Sequence, residues 1–179
     1  MIPPERISRF LSYLLRHRPR EYPLAFDRHG FVAWSEIVGL VRERFYDATE
    51  EEIRAVVTES EKKRFELSAE KVRATYGHSF PVDLGLEPVE PPVELYYGTA
   101  RDLAQSVLRD GLKPRDRQFV HLSASLEEAE AIAKRRDPAP AIVVVDTLAA
   151  RQADIAFYRS GPLFLAENVL PQFLSLKQM

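Results

Sequence analysis

The chain has 179 residues, 45% hydrophobic and 29% charged, with a net charge of −2. That is enough for one large domain or two small lobes with a core, and it excludes a global polycation for nucleic acid, so any such contact needs a local basic patch. No cysteine is present, which excludes disulfides and thiolate zinc sites; no apolar run reaches the length of a membrane span, and no signal-peptide pattern opens the chain, so the expected location is the cytoplasm.

Residues 7–19 read as one short amphipathic helix. Ile7, Phe10, Leu11, Leu14 and Leu15 form an apolar stripe at helical period. Pro3 and Pro4 stand where a helix can start, and Pro19 ends it by pushing the preceding residue out of the helical region. Arg16 falls opposite the stripe, near Arg9 and Ser12, and His17 on its border, so the C-terminal end presents a cation and an imidazole side by side. Basic residues that merely complement the helix end are the plainer explanation of the same pattern.

Leu24 to Phe26 and Phe31-Val32, around Asp27-Arg28-His29-Gly30, suggest a small hairpin or extended pair. Ser35 is expected to cap a helix carrying Ile37, Val38, Leu40, Val41 and Phe45. Thr49 with Glu52 has capping-box spacing ahead of Ile53, Val56 and Val57. Two extended runs follow, Arg64-Phe65-Glu66-Leu67 and Val72-Arg73-Ala74-Thr75-Tyr76. Several helices before a two-stranded ribbon is the ground plan of a winged-helix lobe, which binds nucleic acid in some proteins and is purely structural in others.

Residues 84–93 are proline-rich, acidic and aperiodic, and read as a linker between a lobe over 1–83 and a second over 94–179. In the second lobe Leu95-Tyr96-Tyr97 is strand-like and stops at Gly98-Thr99. Residues 100–110 are helical and closed by Gly111. Residues 119–122 are extended, Ser125 with Glu128 forms a capping box over a helix to about Arg136, and residues 141–145 make a buried strand. Residues 155–158, 163–165 and a last turn near Val169 complete an α+β lobe with short strands.

The seven glycines make neither G-x-G-x-x-G nor a P-loop, and the four histidines show no zinc spacing. No serine sits in G-x-S-x-G. What remains is arginine beside short strands: Arg16, Arg64, Arg73, Arg115 and Arg117. Guanidinium forks suit phosphate oxygens, and arginines gathered from distant stretches could build a metal-free phosphate site. Each one alone is more often a solvated surface residue.

The ordered set of motifs resembles the RNA 2′-phosphotransferase family, often called tRNA 2′-phosphotransferases. It consists of Leu11-Ser12-Tyr13-Leu14-Leu15-Arg16-His17, Lys63-Arg64-Phe65-Glu66-Leu67, Val72 through Ser79, Leu95-Tyr96-Tyr97-Gly98-Thr99, Gly111-Leu112, Arg117 through Ser123, Ala156-Phe157-Tyr158-Arg159-Ser160 and Asn168-Val169-Leu170-Pro171. The resemblance covers nearly the whole chain and implies an N-terminal winged-helix-like lobe with a C-terminal ADP-ribosyltransferase-like lobe that holds NAD⁺. It implies a two-step reaction. An internal RNA 2′-phosphate attacks the anomeric carbon of the nicotinamide ribose and expels nicotinamide. The ribose 2″-hydroxyl then attacks phosphorus, which gives 2′-hydroxyl RNA and ADP-ribose 1″,2″-cyclic phosphate. NAD⁺ is a consumed co-substrate, the partner is RNA bearing a 2′-phosphate, and neither a metal nor an obligate protein partner is expected.

By motif position the resemblance implies Arg16, His17, Arg64 and Arg117 as the catalytic group, Tyr97, Gly98, Thr99 and Ser123 as NAD⁺ contacts, and Arg73 and His78 as phosphate contacts on RNA or NAD⁺. Gly98 is expected to let the ligand approach the backbone. The chain departs from the family pattern at Tyr97 and Phe119, where histidine is common, and at Tyr76, where glutamine is usual. Two readings from other classes are a winged-helix nucleic-acid binder that releases no nicotinamide, and an ADP-ribosyltransferase that stops after the first step.

Overall fold

The computed structural model describes residues 1–178. The chain folds as two compact units, Met1–Gly85 and Leu86–Met179. Both mix helices with small antiparallel sheets.

The first unit opens with α1 (Pro4–His17), whose first helical residue is Pro4, where a missing N–H costs nothing. Ile7, Leu11, Leu14 and Leu15 are buried on its stripe, and Phe10 meets Tyr22 and Phe45 edge-on. The helix stops at His17 because Arg18 turns left-handed (φ 47°) ahead of buried Pro19. The Arg18 guanidinium then lies 5.7 Å and 5.8 Å from the rings of Phe26 and Phe80.

The hairpin expected around Asp27 does not form. The Asp27 carboxylate accepts the amides of His29 and Phe31 and closes a tight turn, but residues 24–26 form no strand. Strand β1 (Val32–Ala33) pairs instead with distant β3 (Lys71–Ala74), with Val32 opposite Val72. Helix α2 (Trp34–Arg44) starts straight from β1 with Ala33 at its cap, so Ser35 lies inside the first turn and caps nothing. Helix α3 (Glu50–Thr58) has the expected box: Thr49 accepts from the Glu52 amide, and Glu52 accepts from the Thr49 amide. Strand β2 (Phe65–Ser68) pairs with β3 from Phe65↔Ala74 to Ser68↔Lys71, giving a sheet of order β1-β3-β2. The core beneath it joins α1, α2 and α3 through Leu11, Leu14, Ile37, Val41, Ile53, Phe65 and Val72.

The second unit is built on two small sheets. One has the order β4-β6-β9, from β4 (Glu94–Thr99), β6 (Ala141–Asp146) and β9 (Leu174–Leu176). The other has the order β5-β8-β7, from β5 (Val120–Leu122), β7 (Tyr158–Ser160) and β8 (Leu163–Ala166). Strand β4 runs through Gly98 and Thr99 and pairs both with β6; it does not stop before them. A single bridge, Tyr96↔Ser123, ties the two sheets. Helix α4 (Ala104–Asp110) follows a short 3-10 turn and ends at Gly111, where φ is 86° and any side chain would sit 2.6 Å from the Val169 carbonyl. Ser125 caps α5 (Leu126–Ala133) by accepting the Glu128 amide. Asp146 caps α6 (Thr147–Gln152) by accepting the Ala149 amide. Neither α6 nor β9 is expected from the sequence.

Of residues 84–93, which the sequence marks as a linker, those from Leu86 on belong to the second unit. Val89 bridges Phe157, Glu90 pairs with Arg151 at 3.2 Å, and the Thr147 hydroxyl donates to the carbonyl of Pro92.

Candidate active site

In the first unit the end of α1 is clamped by the loop segment that leaves β3. The Ser79 amide donates to the Arg16 carbonyl at 2.8 Å, and the Ser79 hydroxyl reaches the same oxygen at 3.2 Å. That carbonyl belongs to the last helical turn, where carbonyls lack intrahelical donors, so Ser79 completes it. The Ser79 Oγ also lies 3.0 Å from Nδ1 of His17. Two residues earlier, Gly77 has φ +83°, and a side chain there would come within 3.3 Å of Cδ and Nε of Arg16. The Arg16 guanidinium lies over the Tyr76 ring, 4.6 Å from its centroid.

Arg64 joins the same segment through its backbone. Its carbonyl accepts the Thr75 amide at 3.0 Å, one step beyond the Phe65↔Ala74 pair, and the Thr75 hydroxyl donates to Lys63. Residues 75–79 therefore touch the ends of both α1 and β2, and bring Arg16, His17 and Arg64 onto one stretch of chain. The helical wheel places Arg16 on the outside; in the structure it is half-buried. Periodicity describes a helix alone and cannot see the loop that folds over it. A guanidinium held over an aromatic ring keeps a planar fork of N–H donors, the group that suits a phosphate.

Arg73 and His78 are placed differently. Arg73 gives Nε and a terminal nitrogen to Glu66 (2.8 Å and 2.7 Å), another nitrogen to the His29 carbonyl (3.1 Å), and stacks 4.5 Å over Phe31. Its donors hold the sheet to the Asp27 turn. His78 is 2% exposed, perpendicular to Phe80, and packed where a side chain on Gly30 would stand 3.4 Å from its Nε2. Both are built into the fold of the first unit.

Beside His17 stands Tyr13, with ring centroids 6.5 Å apart. The Tyr13 phenol donates to Glu21; this bond holds the tyrosine above its ordinary value and the carboxylate below it.

In the second unit Tyr97, Gly98 and Thr99 lie in sequence on β4, and Ser123 is delivered next to them by the Tyr96–Ser123 bridge. Thr99 and Ser123 are 7% and 3% exposed. Tyr97 is partly buried and packs on the core formed by Leu95, Leu122, Val143 and Phe164. Gly98 has a cause within the fold: a Cβ there would fall 2.4 Å from the Ala129 carbonyl and 2.6 Å from the Ala133 side chain, so α5 occupies that space. Beside the expected approach of a ligand to the backbone, helix packing is thus a second reason for this glycine. Tyr96 donates to Glu94 at 3.0 Å, which raises its phenol above the ordinary value. Arg117 is half-buried in the loop before β5, and Phe119 packs against Tyr158 with centroids 6.0 Å apart.

Among the described residues, no group of three or more His, Asp or Glu side chains is placed to hold a metal ion, and no helix is long and apolar enough to cross a membrane. The site residues that sequence reasoning left without a role are Tyr76 and Ser79. Both lie in a quoted motif, but only the fold of residues 75–79 over α1 reveals what they touch.

Comparison with known proteins agrees with the motif order. The profile of the RNA 2′-phosphotransferase, Tpt1 / KptA family matches residues 3–164. A probable RNA 2′-phosphotransferase of Acetivibrio thermocellus is 39% identical over 168 residues, which span 93% of this chain and 92% of the relative. A protein of the same name from Thermococcus kodakarensis is 36% identical over 96% of both chains. Another from Agrobacterium fabrum is 44% identical over 78% of this chain and 75% of its own. With a profile that spans most of the sequence and relatives above a third identical nearly end to end, the chain belongs to the RNA 2′-phosphotransferase, Tpt1 / KptA family.

Proposed function

We propose that the protein removes an internal RNA 2′-phosphate at the expense of NAD⁺, in the two steps that give 2′-hydroxyl RNA and ADP-ribose 1″,2″-cyclic phosphate. The observation that carries this reading is the clamp at the end of α1. Residues 75–79 hold the Arg16 guanidinium over the Tyr76 ring and contact the His17 imidazole, with the Arg64 backbone on the same segment.

Arg16, Arg64 and Arg117 bind the phosphate and stabilise the charge that builds on its oxygens in the second step, without a metal. His17 moves a proton between the ribose hydroxyl and the leaving oxygen. In the first step the leaving group is already a cationic pyridinium, so alignment of the anionic nucleophile is the main requirement. The phenol of Tyr97 and the hydroxyls of Thr99 and Ser123 fit a sugar-bearing co-substrate by their chemistry, and these residues with Gly98 are assigned to NAD⁺. Arg73 and His78, which the resemblance implies as phosphate contacts, are assigned here to support of the site, because Arg73 spends its donors on Glu66 and the His29 carbonyl and His78 is buried.

In this reading residues 1–83, with three helices ahead of a β2–β3 ribbon, form a winged-helix-like lobe. Residues 94–179 form an ADP-ribosyltransferase-like lobe, and residues 84–93 connect the two. The substrate is a tRNA-like RNA and the location is the cytoplasm.

Incubation with a short 2′-phosphorylated RNA and NAD⁺ tests the proposal. Expected products are 2′-hydroxyl RNA, nicotinamide and the cyclic phosphate. Accumulation of a stable ADP-ribosylated RNA would instead support a transferase that stops after step one, and no nicotinamide release with RNA bound would support a binding module.

A further inference from the structure

We propose that Ser79 is a positioning residue that fixes the tautomer of His17, so that neutral His17 carries its hydrogen on Nδ1 and its basic lone pair on Nε2. The inference rests on the reading of His17 as the group that moves a proton, and it adds which nitrogen does so and what enforces the choice.

Two polar atoms face one hydroxyl. The Arg16 carbonyl lies 2.8 Å from the Ser79 amide and 3.2 Å from Ser79 Oγ, while Nδ1 of His17 lies 3.0 Å from that Oγ. A carbonyl has two lone pairs and no hydrogen, so the contact between the two oxygens needs the hydroxyl's own proton. A serine has one. Once it points to Arg16, Oγ can only accept from His17, and Nδ1 must bear the hydrogen. The reverse assignment sets two oxygens 3.2 Å apart with no hydrogen between them and leaves the hydroxyl bond to a helix-end carbonyl unmade.

The arrangement suits a residue that changes charge during a reaction. Nδ1–H to Oγ is the same bond in imidazole and imidazolium, so only Nε2 gains or loses a proton and nothing on the Ser79 side rearranges. In the second step the ribose O–H bond breaks and an N–H bond forms at Nε2. The hydroxyl oxygen then forms its bond to phosphorus. The bond from phosphorus to the RNA 2′-oxygen breaks with its electron pair on that oxygen, and the Nε2 proton returns to it. Its charged or titratable neighbours include Arg16 and Arg18 in sequence, and Tyr13, whose phenol is occupied by Glu21.

The test is the imidazole ¹⁵N spectrum of the labelled full-length protein at a pH where His17 is neutral, with its signals assigned by their loss in His17→Gln. Protonated Nδ1 with unprotonated Nε2 is expected; the opposite pattern overturns the proposal, whatever any variant does. Ser79→Ala is expected to lose the single-tautomer signature and to slow the second step by about 10- to 100-fold, the range that the hydrogen-bond partners of metal-bound histidines carry. Ser79→Thr, which keeps the hydroxyl, restores both. A Ser79→Ala enzyme with wild-type second-step rate and an unchanged spectrum also overturns it. The underlying reading fails separately: His17→Ala that completes the second step at wild-type rate removes the proton-transfer role and leaves the tautomer assignment standing.

Discussion

The Arg16 guanidinium carbon lies over the ring of Tyr76, 4.6 Å from its centroid, so a cation at the end of one helix is held by an aromatic residue sixty positions away in sequence. A cation held over a ring face is restricted in position, and that position decides what its N–H groups can reach. Tyr76 is 8% exposed and part of the first unit's interior. Tyr76→Ala is expected to lower the stability of that unit by about 3–5 kcal/mol, as for other buried aromatics cut to alanine. It should also slow phosphate removal, while Tyr76→Phe keeps the ring and the rate. Denaturant unfolding followed at Trp34, the single tryptophan, reads the first effect, and single-turnover assay reads the second. A Tyr76→Ala enzyme of undiminished rate would show that the stack does not position Arg16.

Gly98→Ala tests the packing of α5 on β4. Its methyl would meet a backbone oxygen at 2.4 Å and a methyl at 2.6 Å. The expected cost to the second unit is about 1–3 kcal/mol, the range for overpacked cores. Adding Ala133→Gly should not restore stability, because the Ala129 carbonyl stays in place. Thermal unfolding of both variants checks this; full restoration by the double change would assign the strain to the side chain alone.

Arg73→Met separates a structural arginine from a phosphate ligand. The change removes the Glu66 pair and the bond to the His29 carbonyl. The first unit should lose about 1.5–3 kcal/mol, the range for hydrogen bonds to charged groups. KM for 2′-phosphorylated RNA should hold wherever the variant is folded. A raised KM with unchanged stability would return Arg73 to the phosphate site.

Glu50 accepts from Trp34 Nε1 at 2.7 Å and from Arg54 at 3.2 Å, and these bonds, that of Trp34 first, hold its carboxyl below the ordinary 4.5. A carboxyl lowered by folding adds stability above its unfolded value and loses it as pH falls through the folded one. Wild-type midpoints should therefore drop more than those of Glu50→Gln on acidification below about pH 5, with little difference in slope near neutrality. Trp34 emission across a pH series of denaturant melts reports it; parallel curves would refute the contribution.

Elements with strong local chemistry were legible in the sequence. The stripe from Ile7 to Leu15, the Thr49–Glu52 box and the Phe65–Ala74 ribbon all stand as expected. What failed depended on distant partners. Val32 looked like one arm of a local hairpin but pairs with Val72, because Asp27 uses its carboxylate to close the turn and the free edge lies on β3. Strand β9 has three residues and exists only because β6 offers an edge. Helix α6 is too short to show a period, although Asp146 carried its cap. The motif order named Arg16, His17 and Arg64, yet the contacts of Tyr76 and Ser79 with Arg16 and His17, and of Thr75 with Arg64, emerge only when residues 75–79 fold back over α1.

The stitch of Val89 to Phe157 bears on where the chain can be cut. Phe157 is 1% exposed, and the Thr147 hydroxyl takes the carbonyls of Pro92 and Val93 as acceptors. A C-terminal fragment begun at Glu94 would strip that cover, wetting an aromatic ring and orphaning a hydroxyl. One begun at Leu86 would carry its own lid.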